Sequence, residues 1–104
     1  MNVVLYHLCC HYGDLGPVPC PSTVLSKKSG LTLYKTRKIL KQLKDQGLVT
    51  SGHFCIVSEE RNIIINGYTI TEKAMCHSEE FVAAYCKKFF PKIGIEEEFL
   101  ENEK

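Results

Sequence analysis

Between Gly30 and Gly47 the chain spaces Thr36, Ile39, Leu40 and Leu43 at the period of an α-helix. Lys35, Arg37, Lys38, Lys41 and Lys44 take up much of the remainder. Thr32 stands at the entry as an N-cap, and Gly47 at the exit offers the left-handed residue that ends a helix. Leu33–Gln46 therefore reads as an amphipathic helix with one buried stripe and a basic remainder. A helix so narrowly apolar cannot form the centre of a fold. It must lie on the outside of a core that other elements build.

The order of those elements narrows the class. Asn2–Tyr12 reads as a first helix, with Val4, Leu8 and His11 on one face and Leu5, Cys9 and Tyr12 beside them. So broad an apolar surface expects cover on more than one side, and Gly13 is read as its end. Gly13–Pro21 holds two glycines and three of the chain's four prolines, which makes it a loop. Ser22 then caps a short second helix, Thr23–Ser29, with Val24, Leu25 and Lys28 inward and Gly30 after it.

From Leu48 the composition shifts to β-formers. Phe54–Val57 makes one strand and Ile63–Ile70 a second, with the polar Ser58–Asn62 as the turn between them. Asn66-Gly67 is itself a strong hairpin signal, so either the tight turn sits there or the strand runs through it with a bulge at Gly67. The bulge is preferred, because Tyr68–Ile70 then completes one long strand. Thr71 caps a last helix reaching about Phe90, with Phe81, Val82, Tyr85 and Phe89 along its stripe, and Pro91 and Gly94 stop it. Glu96, Glu97, Glu98, Glu101 and Glu103 then make an acidic tail.

Composition enters as a bound. A chain of 104 residues with 44% hydrophobic and 24% charged side chains is one globular domain, neither disordered nor fibrous. No apolar run approaches the ~20 residues that span a bilayer. The first ten residues are too short, and too poor in Lys and Arg, for a secretory signal, so a cytoplasmic protein is expected. The formal net charge of +1 hides an asymmetry. Residues 1–50 carry seven bases against two acids, +5, and all seven bases lie between Lys27 and Lys44. Residues 51–104 carry six bases against ten acids, −4. Such separation points to nucleic-acid or other acidic partners. The six cysteines are even in number but include no CxxC pair, so most read as small buried apolar residues rather than a disulfide framework.

The run Leu25-Ser-Lys-Lys-Ser-Gly30-Leu31-Thr32, followed by Tyr34-Lys-Thr-Arg-Lys-Ile-Leu40-Lys-Gln-Leu43-Lys-Asp-Gln-Gly47-Leu48-Val49, resembles the winged helix-turn-helix domain of bacterial transcription regulators. Gly67-Tyr-Thr-Ile-Thr71-Glu-Lys-Ala74 is similar to that family's strand-to-helix junction, with Ala74 where a glycine is common. Together these runs cover about half of the chain. The resemblance implies an α+β, mostly helical fold: a three-helix core, a β-hairpin wing and an added C-terminal helix. A single domain would occupy residues 1–90, with the helix-turn-helix at 22–47, the wing at 48–71 and the last helix at 72–90. The acidic tail would be 91–104.

The function expected of such a domain is sequence-specific, non-catalytic binding of double-stranded DNA by a transcriptional regulator without a cofactor. Leu33, Tyr34, Arg37 and Lys38 would enter the major groove, with Arg37 suited to guanine O6 and N7. Lys35, Lys41, Lys27 and Lys28 would hold the backbone. In the wing, Arg61 either meets phosphate or pairs with Glu59 and Glu60, which phosphate would repel. The last helix exceeds what a winged helix needs, so a homodimer through it and helix 1 is expected.

Two other readings stand beside this one. The acidic wing and tail would also suit a winged-helix protein-interaction module without a DNA role. His7, Cys10 and His11, at i, i+3 and i+4 with Cys9 adjoining, have a spacing that can chelate zinc, as a metal- or thiol-responsive regulator would require. They lack a fourth ligand at recognisable spacing, and the bland assignment is to the helix-1 interior. No nucleophile-bearing turn or glycine-rich loop accompanies any Cys/His pair, so no enzyme is expected.

Overall fold

Asn2 starts the first helix in the computed structural model, which describes residues 1–89. Its Oδ1 accepts from the backbone N–H groups of Val4 and Leu5, each at 3.1 Å, opening α1 (Val3–Leu15). The helix runs on through Gly13, the expected end, and stops at Gly16 (φ 74°), whose N–H donates to the Tyr12 carbonyl at 2.7 Å. Glycine inside a helix costs only about 1 kcal/mol, whereas Pro17 blocks its continuation. Val4, Leu5, Leu8 and Cys9 are all buried, because α1 is covered by α2 (Ser22–Ser29), α3 (Leu33–Asp45) and the elements that follow.

Ser22 is the first residue of α2 rather than its cap. Pro21 holds the cap position, and its carbonyl accepts from the Val24 and Leu25 N–H groups at 3.1 Å; no side chain caps this end. Of the three side chains expected inward, Leu25 is buried while Val24 and Lys28 are exposed. Two turns of helix bury a single ridge. The turn into α3 is tied by Ser26 Oγ donating to the Leu31 carbonyl and Ser29 Oγ donating to the Leu25 carbonyl, both at 2.7 Å. Gly30 takes the left-handed conformation at φ 73°.

Thr32 caps α3 as expected, its Oγ1 accepting from the Lys35 N–H at 3.2 Å. Thr36, Leu40 and Leu43 are buried and Ile39 half-buried, matching the expected stripe. The fully buried Thr36 is tolerated because its hydroxyl donates to the Thr32 carbonyl at 2.9 Å. Gly47 (φ 77°) then turns the chain into the sheet.

Strands β1 (Val49–Val57) and β2 (Asn62–Ile70) pair antiparallel in one unbroken register, from Val49 opposite Ile70 to Val57 opposite Asn62. The turn lies at residues 58–61, so Asn66-Gly67 is not a turn, and the expected bulge is absent: Gly67 sits squarely opposite Gly52. A side chain at Gly67 would run into the Cys20 carbonyl and come within 2.7 Å of the Pro21 nitrogen. Cys20 and Tyr68 form a two-bond rung there, N–H to carbonyl at 2.9 Å and 3.0 Å. The glycine admits that rung.

The helix expected over 72–90 is two helices, α4 (Glu72–His77) and α5 (Glu79–Phe89). Ser78 between them is extended (φ −107°, ψ 136°), and its Oγ accepts from the Phe81 N–H at 3.1 Å. Serine followed by Glu79 and Glu80 is an N-cap with acids in the first turn, a signal that the apolar stripe obscured. The new direction lays α5 along α1, burying Ala84 and Glu80, whose Oε2 accepts from the Asn2 N–H at 3.2 Å. Phe90, Pro91, Gly94 and the tail at 91–104 lie outside the described residues.

Candidate nucleic-acid interface

With Thr36, Leu40 and Leu43 in the core, the 3.6-residue period decides where the other side chains of α3 go. Tyr34, Lys38 and Lys41 fall opposite the buried stripe, and Tyr34 is 77% exposed. Lys35 falls on one flank. Arg37 and Lys44, two turns apart, fall on the other flank, which faces the hairpin. Lys44 Nζ donates to Ser51 Oγ at 3.1 Å, and Arg37 lines a groove shared with β1 and β2. Leu33, read as entering the major groove, is half-buried.

All five α3 bases, with Lys27 and Lys28, are exposed, and none is in an ion pair among the described residues. The one acid on the helix, Asp45, is its last residue. Lys28 lies close enough to α1 to act on two histidines: burial foremost, then the Lys28 charge, holds His7 and His11 below the ordinary histidine range. The face of α3 therefore carries concentrated positive charge, five bases against that one acid.

The wing tip is different. Ser58 and Arg61 close the turn, the Arg61 N–H donating to Ser58 Oγ at 3.1 Å, and the Ser58 N–H donating to the Arg61 carbonyl at the same distance. The Arg61 side chain is exposed and forms no ion pair with Glu59 or Glu60, so the pairing alternative is not what the structure has. Below the tip, Phe54 stands opposite Ile65 and Ile56 opposite Ile63 on one face of the hairpin. Phe54, Ile56, Val57, Ile63 and Ile64 are all exposed, Val57 at 76%.

Pleat alternation places a second set of residues near α3. The hairpin face that carries Val49 and Ile70 into the core continues outward as Ser51 opposite Tyr68, then His53 opposite Asn66. Ser51, His53, Asn66 and Arg37 border one open groove of about 600 Å³, which Ser22 and Thr23 also line. His53 and Asn66 were not singled out from the sequence. Polar residues at alternate positions of both strands would have marked them, once the register was known.

His7, Cys10 and His11 are half-buried on α1, and the His11 Nε2 is buried without a hydrogen-bond partner. Among the described residues no group of three or more His, Cys, Asp or Glu side chains comes together to hold a metal ion. All six cysteines are free thiols, but only Cys9 and Cys20 are fully buried; Cys10 and Cys86 are half-buried, and Cys55 and Cys76 exposed. Burial foremost pushes the Cys9 thiol up to about 12, with Cys10 and Glu80 adding to it.

On α5, Phe81 is half-buried, whereas Val82 is 60% and Tyr85 48% exposed; the Phe89 side chain lies outside the described residues. Lys87 Nζ sits 5.9 Å from the centre of the Tyr6 ring, a cation–π contact joining α5 to α1. No helix among the described residues is long and apolar enough to cross a membrane.

The sequence matches no protein-family model, and no curated protein matches it. Solved structures do. Lactococcus lactis ZitR in complex with DNA, described elsewhere as a zinc-responsive MarR family member, superposes with a TM-score of 0.54 at 18% identity. The match takes in 99% of this chain and 65% of that one, so the chain spans just under two thirds of its length. The MarR family transcriptional regulator SPO1453 from Silicibacter pomeroyi DSS-3 gives the same TM-score at 16% identity, over 100% of this chain and 77% of that one. At such identities the likeness is one of fold, and the fold is a winged helix-turn-helix.

Proposed function

We propose that this chain is a sequence-specific, non-catalytic DNA-binding transcriptional regulator of bacterial type, acting in the cytoplasm as a homodimer. The observation that carries the reading is the outer face of α3, where Tyr34, Lys38 and Lys41 project opposite the buried stripe without ionic partners. A helix about 10–12 Å across fits a major groove about 12 Å wide, and its outermost side chains then meet base edges. Lys35, Lys27 and Lys28 hold phosphates. The fold shared with a DNA complex of ZitR supports the assignment. The exposed Val82 and Tyr85, on a helix beyond the winged-helix core, support pairing of protomers through α5 and α1.

The test is salt-dependent fluorescence anisotropy with a random-sequence duplex, followed by selection of bound duplexes from a random library. Joint Lys38→Ala and Lys41→Ala substitution is expected to weaken duplex binding strongly. Unchanged affinity in that variant would overturn the reading.

One observation favours a second reading, a protein-interaction module without a DNA role. One face of the hairpin exposes Phe54, Ile56 and Ile63 below an acidic tip, and exposed apolar surface of this kind marks protein contacts. No detectable duplex binding at low salt would select it.

A further inference from the structure

A helix filling the major groove has one phosphate strand along each side, so its flanking side chains, not its outermost ones, face the groove walls. On α3 the flank toward the hairpin carries Arg37 and Lys44. The phosphate strand on that side must cross the space between α3 and the hairpin, where the open groove of about 600 Å³ lies. Arg37 and the cross-strand pair His53 and Asn66 border it, Ser22 and Thr23 line it too, and no acidic side chain does. A phosphodiester offers acceptor oxygens and no donor. A guanidinium fork, an imidazole N–H and an amide NH₂ supply the matching donors.

We propose that this groove seats one backbone phosphodiester of the bound duplex, held by Arg37, His53 and Asn66. The wing then engages DNA through its base, while the acidic tip at Glu59 and Glu60 stays clear of the phosphates. Arg37 becomes a backbone residue rather than a reader of guanine, and base reading falls to Tyr34, Lys38 and Lys41. This assignment rests on the DNA-binding reading above and deepens it.

Asn66→Asp tests the seat with almost no change of shape, since Asn66 is an exposed strand residue and the substitution adds one negative charge. Anisotropy with random-sequence and library-selected duplexes, over a range of salt, would compare it with Arg37→Ala and the joint Lys38→Ala, Lys41→Ala variant. Asn66→Asp is expected to weaken binding to every duplex by about tenfold or more, the loss of one charge-assisted contact. Arg37→Ala is expected to lower the slope of log affinity against log salt by about one and leave sequence preference unaltered.

Wild-type binding by both Asn66→Asp and Arg37→Ala, alongside loss in the joint lysine variant, would overturn the seat and leave the DNA reading standing. A change of sequence preference in Arg37→Ala would also overturn it, by returning Arg37 to the base edges. If the unaltered protein bound no duplex at low salt, the DNA reading itself would fall and take the seat with it.

Discussion

The Thr71 hydroxyl donates a 2.6 Å hydrogen bond to the Gly47 carbonyl, joining the residue that leaves β2 to the residue that leaves α3. The same oxygen accepts from the Ala74 N–H at 3.4 Å to cap α4, and the Thr71 N–H donates to the Leu48 carbonyl at 3.1 Å. One residue thus fixes the exit of α3 and the start of the next helix through its hydroxyl, and the base of the sheet through its backbone N–H. Thr71→Val keeps the shape and removes both hydroxyl bonds. It is expected to cost about 1–2 kcal/mol in urea denaturation, with the denaturant slope unchanged.

Two glycines separate space from backbone angle. Gly30 has open room around it but a φ of 73°, so Gly30→Ala is expected to lose about 1–2 kcal/mol, the ordinary left-handed penalty. Gly67 faces the Cys20 carbonyl, and Gly67→Ala must push the Cys20–Tyr68 rung apart. Its loss should be the larger, and thermal denaturation of the two variants should rank them in that order.

The half-buried histidines of α1 give a pH dependence with a definite sign. Burial foremost, then the Lys28 charge, holds His7 and His11 below the ordinary histidine value of 6.5, so the unfolded chain takes up protons first. Their stability contribution is complete above pH 6.5 and is lost as pH falls below it toward the depressed folded values. Denaturation midpoints measured from neutral to mildly acidic pH should fall in the wild type. The fall should be shallower in a His7→Gln, His11→Gln variant.

Thiol labelling should follow burial. Cys55 and Cys76 are exposed, while Cys9 is buried with its thiol pushed up to about 12 and Cys20 is pushed up by burial. Iodoacetamide at neutral pH is expected to modify Cys55 and Cys76 in the folded protein, and Cys9 and Cys20 only after denaturation. Peptide mass mapping reads this directly.

Val82 projects from α5 at 60% exposure. If α5 pairs protomers, Val82→Glu buries a charge in the interface and should give monomers by analytical ultracentrifugation, with the thermal midpoint of the monomer fold little changed. A wild-type mass distribution in the variant would count against α5 as the interface.

What could be read locally was read well. The stripe and cap of α3 are legible because one neighbouring layer buries Thr36, Leu40 and Leu43 and because Thr32 caps through its own side chain. One misreading arises where something distant decides. Gly67 resembles a bulge until Cys20, far back in the chain, is found beside it. Gly13 and Gly16 are equivalent as punctuation, and Pro17 settles between them. At Ser78 the local signal existed, but an apolar stripe long enough for one helix overrode it. His53 and Asn66 become a pair only after the turn at 58–61 sets the register, so the groove they border had no trace in the linear pattern.

The Cys20–Tyr68 rung also sets the mechanics of the hairpin. It clamps the root of β2 to the segment leading into α2, while the outer part, from Phe54 to Ile65, extends into solvent. The hairpin is in effect a cantilever: deflecting its tip strains few contacts, and its fixed end holds station against α3. His53 and Asn66 stand two rungs outward from that fixed end, so they share less of any deflection than the tip does.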